Sequence, residues 1–226
     1  MSARPGRSPV LALLPREHGG WGILLVPFFT AVVILGRAPL PVWLVLVALV
    51  LAFLARRPFE LAFVPESRGR PPGVSLGQMR RYAWLYAAAA AALGSALVMV
   101  WKLTSLLPIG LLALSVFGLH LHLLRRRVDR GLPAQLLGTS ALTLTGLAGW
   151  IAATGGLSMT GFGVWLLNWA YFCCGVAYVR SRIRGSLGAG RSSLTESPGF
   201  ALTLHLVTLA FVLVLASARW TPPLVI

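Results

Sequence analysis

Residues 40–57 read LPVWLVLVALVLAFLARR, an apolar run closed by two arginines. At 1.5 Å of rise per residue, about 20 such residues cover the roughly 30 Å hydrocarbon core of a bilayer. A helix apolar on every side has no face for water, so the run reads as a membrane span. The same reading applied along the chain gives spans at 20–36, 40–55, 82–100, 106–124, 135–154, 161–179 and 200–218. The expected fold is therefore all-α: a polytopic integral membrane bundle of about seven transmembrane helices, forming one domain over residues 1–226.

Composition agrees. The 226 residues are 57% hydrophobic and 11% charged, with a mean hydropathy of +0.81. Disorder, a disulfide scaffold and a soluble nucleic-acid-binding domain are excluded, although the net charge is +15. That charge comes from Lys102 and nineteen arginines, and it is sorted along the chain. The N-terminus and the second-to-third, fourth-to-fifth and sixth-to-seventh connections hold 17 of the 20 basic residues. Arg37, Lys102 and Arg219 fall on the other side. By the positive-inside rule the N-terminus is expected in the cytoplasm and the C-terminus outside. The apolar stretch Val10–Leu14 is too short for a signal peptide and lacks a small-residue cleavage site. Cys173 and Cys174, adjacent within a span, read as inert thiols.

Polar residues inside spans tend to face the bundle interior. Ser115, Gly118, His122, Arg125 and Asp129 fall at helical steps on the fourth span, and Asn168, Tyr171, Gly175, Tyr178 and Arg182 on the sixth. The fifth span carries Gly138, Thr139, Ser140, Thr143, Thr145, Gly146 and Gly149, residues that let membrane helices approach closely. The Ala87–Ala92 run of the third span also suits close packing. Small residues, interfacial Tyr and terminal Arg are ordinary features of membrane helices. Two polar stripes ending among seventeen positive charges nevertheless point to a cavity with an arginine-rich mouth, whose ligand is anionic.

The densest chemistry is Pro15-Arg16-Glu17-His18-Gly19-Gly20-Trp21-Gly22, at the start of the first span. Glu17 needs a partner at the membrane edge, Arg16 or an arginine from another loop, and His18 can exchange protons. The same residues also suit a plain helix start, with Glu17 favourable at the N-terminal dipole and Trp21 in the interfacial belt. Glu60 is placed to pair with Arg56 or Arg57 unless Pro58 breaks the turn. His120 and His122, two residues apart on a helix, point about 200° apart and cannot share a metal. The cysteines lack the spaced pairs of a zinc site, and no phosphate-binding loop or nucleophile elbow is present. No metal or cofactor is expected.

The stretch Pro15–Pro27 resembles the signature of the YwiC-like family of bacterial membrane proteins, and Arg57-Pro58 and Tyr178-Val179-Arg180 also fit that family. The resemblance implies a bacterial cytoplasmic membrane location and brings no settled biochemical role. More distantly, the layout is similar to the UbiA-type prenyltransferases. Arg70-Pro71-Pro72-Gly73-Val74-Ser75 resembles one of their conserved segments, and Gly190-Arg191 also lines up. Those enzymes hold Mg²⁺ on Asp-rich motifs after the second and sixth helices. Here those places read Arg56-Arg57-Pro58-Phe59-Glu60 and Arg180-Ser181-Arg182-Ile183-Arg184. Arginines repel Mg²⁺ but can hold a phosphate directly.

The expected function is binding of an anionic amphiphile (a lipid phosphate, prenyl diphosphate or quinone-like molecule), with membrane lipids as surroundings and any catalysis metal-independent. Candidate ligand-binding residues are Arg16, Glu17, His18, Trp21, Arg57, Glu60, His122, Arg125, Tyr171, Tyr178, Arg180 and Arg182. A small anion transporter and a non-catalytic accessory subunit are the alternatives.

Overall fold

A computed structural model of the chain describes residues 13–15, 18–64, 73–128, 131–186 and 198–217. Among the described residues there are seven helices: α1 (His18–Leu35), α2 (Leu40–Phe63), α3 (Leu76–Trp101), α4 (Leu106–Arg125), α5 (Leu132–Thr154), α6 (Met159–Ser186) and α7 (Pro198–Ser217). Helices α2 to α6 each contain a stretch long and apolar enough to cross a membrane, and α1 is a shorter apolar helix. The all-α membrane bundle expected from hydropathy is thus the fold.

The helices overrun the apolar runs mainly at the arginine-rich end. Helix α2 continues two turns past Ala55, carrying Arg56, Arg57 and Glu60 with it, and Pro58 lies buried inside the helix. Proline removes one backbone hydrogen bond and crowds the carbonyl of Leu54, a local cost that packing around the buried Pro58 offsets. At the start of α3 a capping box adds a turn and a half. Gln78 N donates to Ser75 Oγ at 3.2 Å, and Ser75 N donates to Gln78 Oε1 at 2.8 Å. Ser75, noted above for its UbiA-like segment, acts locally as a helix cap. The rest of that segment, 70–72, lies outside the described residues.

Helix α5 is the hub. It packs against α1, α2, α4 and α6, and every residue from Thr143 to Ala153 is buried. The expected close approach is made here. A Cβ on Gly146 would lie 2.9 Å from the Pro27 carbonyl oxygen, and one on Gly149 3.0 Å from the Phe28 ring. Thr145 Oγ1 donates to the Leu24 carbonyl at 2.6 Å, and Trp169 Nε1 of α6 donates to Ser140 Oγ at 2.7 Å. Away from the arginines, Phe28, Val42, Val45, Leu97, Leu147 and Ile151 form the largest buried cluster.

Helix α2 pairs most extensively with α3, whereas α3 and α4 barely touch although only Lys102–Ser105 joins them. They part from that connection onward, and α4 leans on α5 instead. Helix α7 packs on α6, where Cys174 Sγ lies 3.1 Å from Thr208 Oγ1, and both cysteines are buried and free.

Candidate functional site

Among the described residues at the arginine-rich end, α2 and α4 bring polar side chains together. Glu60, one of five acids in the chain, is 2% exposed. A carboxylate so buried is stable only if its oxygens are paired. Arg56 Nε donates to Oε1 at 2.8 Å from one turn earlier on α2, and Arg57 Nη1 lies 3.6 Å from Oε2. His120 of α4 closes the group, with Nε2 3.0 Å from the same Oε1. A carboxylate flanked by two guanidinium groups is an acceptor, so Nε2 carries the donated hydrogen. The pairing that Pro58 threatened is made, because the helix runs through it.

Aromatic rings adjoin these charges. Phe59 of α2 meets Trp84 of α3 edge-on, with centroids 5.3 Å apart, and Phe117 of α4 at 6.0 Å. Phe117 in turn stacks on His120 at 6.5 Å. Arg80 and Arg81, both exposed, stand one turn before Trp84 on α3. The arrangement presents cationic donors beside an apolar, polarizable wall. It can hold an anion at one edge and hydrocarbon at the other.

The sequence candidates divide. Arg57 and Glu60 are brought together. Arg56, expected from the sequence as a partner of Glu60, completes the group together with His120, and neither is among the ligand-binding candidates. The sequence carried half of the signal for His120: two histidines two residues apart cannot both face inward, and a buried acid at that end needs donors, but nothing in it chooses between His120 and His122. Trp21 packs edge-on against Phe53 with centroids 4.8 Å apart, pinning α1 to α2. Arg16 and Glu17 lie outside the described residues, and so does the side chain of His18, which begins α1.

The two polar stripes do not line an inner cavity. Ser115, Gly118, His122 and Arg125 are exposed on the outer side of α4, and Tyr171, Gly175, Tyr178 and Arg182 on that of α6. Asp129 is outside the described residues. The Ser115 hydroxyl and the Asn168 amide of the two stripes are satisfied within their own helices, which lowers the cost of outward placement. Ser115 Oγ donates to Leu111 O at 2.8 Å, and Asn168 Nδ2 donates to Val164 O at 2.9 Å. Arg180 is half-buried near the end of α6, and Tyr178 stands edge-on to His205 of α7. The Ala87–Ala92 run is likewise half-buried or exposed, not sandwiched between helices.

Fold and site together define a multi-pass helical membrane protein with a charged group set into one end of its bundle. Residues 14–150, more than half of the chain, match the family described as YwiC-like protein, and the chain belongs to that family. No curated protein and no solved structure matches it.

Proposed function

We propose that this YwiC-like protein binds an anionic amphiphile at the arginine-rich end of its bundle. A lipid phosphate or a prenyl diphosphate brings anionic oxygens to these donors, and a quinone-like molecule brings carbonyl or phenolate acceptors. The observation that carries the reading is the gathering of Arg56, Arg57 and His120 on the buried Glu60, beside the Phe59, Trp84 and Phe117 rings. The buried carboxylate holds the Arg56 and Arg57 guanidinium groups in place. A fixed cation loses less freedom when an anion arrives. The sorted arginines support a cytoplasmic N-terminus and an outer C-terminus in a bacterial cytoplasmic membrane.

Chemistry through Mg²⁺ does not fit this donor set. The ion takes oxygen ligands in near-octahedral array. Among the described residues Glu60 is the one carboxylate, already accepting from Arg56 and His120, with two cations against it. The reading is of direct anion recognition by nitrogen donors.

Native mass spectrometry of the detergent-purified protein tests this. A phosphate-bearing or other anionic lipid is expected to co-purify, and to be lost at least tenfold in Arg57→Ala while Arg37→Ala, at the opposite end, retains it. A protein without bound lipid, or equal retention in both variants, overturns the proposal.

A further inference from the structure

Consecutive antiparallel helices joined by four residues ordinarily pack along their length, and α3 and α4 do not. At the arginine-rich end Phe59 of α2 touches both helices, meeting Trp84 of α3 and Phe117 of α4. The α3 face that carries Trp84 continues through Ala88, Ala91, Ala92 and Ser95 at helical spacing, all of them exposed. One turn the other way it carries the exposed Arg80 and Arg81. On α4 the face of Phe117 continues through Ala113 and Gly110, and no atom stands within 4 Å of a Cβ built on Gly110. Small side chains thus line both faces, and the large rings and arginines stand at their arginine-rich end.

Resting on the amphiphile reading above, we infer that the ligand is a phosphate-headed lipid held in a lateral cleft between α3 and α4, which it reaches sideways from the bilayer. Its head meets Arg80, Arg81 and the Arg56–Arg57 pair. The first part of its chain lies on Phe59, Trp84 and Phe117, and the remainder runs down the alanine face of α3. Charge complementarity selects the occupant. A second protein helix would have to bury the arginine cluster against its own end, whereas a lipid phosphate brings three acceptor oxygens to it at the depth where headgroups lie. The alanine run, which suited helix packing in the sequence, serves as the wall of a groove.

Photo-crosslinking in neutral phosphatidylcholine vesicles tests the location. Two probes separate the lipid sources: a phosphatidic acid and a polyisoprenyl monophosphate, each with a diazirine in its chain. Adducts from at least one probe are expected in the peptides spanning Trp84–Ala92 and Gly110–Phe117, with labelling that saturates and is competed by the unlabelled lipid. Ala88→Trp, which fills the groove without removing a packed side chain, is expected to cut labelling at least tenfold, and Val207→Trp on the exposed side of α7 to leave it unchanged. Saturable adducts on another face, with lipid retention still lost in Arg57→Ala, overturn the cleft but leave the amphiphile reading standing. Labelling that never saturates and surrounds the bundle reports boundary lipid only and overturns the cleft as well. Loss of all retained lipid in the mass-spectrometric test removes both.

Discussion

Glu60 and His120 are sixty residues apart in the chain and 3.0 Å apart in the bundle. This contact and the neighbouring Phe59–Phe117 pair tie the ends of α2 and α4 together, although the two helices share little backbone contact. Because Glu60 also accepts from Arg56, one buried carboxylate sets the position of groups on two helices.

The tie is measurable by a double-mutant cycle. Glu60→Gln is expected to destabilise by about 1–3 kcal/mol, less than the roughly 3–5 kcal/mol of a fully buried broken pair, because water screens the arginines. Their side chains are 23% and 21% exposed. Coupling to His120→Ala is expected at about 0.5–3 kcal/mol in detergent unfolding. His122→Ala, on the outer side of α4, is expected to fall within about 0.5 kcal/mol of the parent protein. Equal effects of the two histidine variants would contradict the geometry.

Helix α5 owes its central place to the absence of side chains at two positions. Gly146→Ala has to move the α1 backbone, since its Cβ would stand 2.9 Å from the Pro27 oxygen. Overpacking of this kind costs about 1–3 kcal/mol. Gly118→Ala, whose Cβ meets nothing within 4 Å, is expected to be neutral or to stabilise by up to about 1 kcal/mol. Melting temperatures in one detergent give the comparison directly.

Ser75 holds the first turn of α3 through its reciprocal bonds with Gln78. Ser75→Ala is expected to cost about 1 kcal/mol. Hydrogen exchange localises the effect: amides of residues 76–79 should exchange faster, while those beyond Ala83, which is fully buried, keep their protection. A uniform loss along α3 would place the cap's role elsewhere.

Orientation is open to a direct test. A fluorescent protein that matures only in the cytoplasm is expected to be bright on the N-terminus and dark on the C-terminus. Alkaline phosphatase, active only outside, is expected to show the reverse. The opposite pattern would turn the arginine-rich end outward and separate the candidate site from the cytoplasm.

Part of the site could be read in the sequence. Arg56, Arg57 and Glu60 lie within one helical turn, so their pairing needed only that the helix survive Pro58, and the small residues of the fifth span announced its close contacts with α1. The choice of His120 over His122 could not be read. Neither could the outward turn of the Ser115 and Asn168 stripes, whose serine hydroxyl and asparagine amide bond to their own helices and so need no neighbour.

By itself the sequence determined that the chain crosses a membrane as a bundle of apolar helices, where those helices lie, and which ends carry the arginines. Each of these follows from the transfer of individual residues between water and lipid, a property the residues have before they meet one another. How each helix is rotated about its axis was decided only by the tertiary structure. Lipid is as apolar as a packed leucine, so no hydrophobic penalty marks the inner face of a membrane helix. The rotation was set by what only neighbours supply: a glycine where two backbones meet, a hydroxyl facing a carbonyl, and a buried carboxylate that drew His120 inward and left His122 outside.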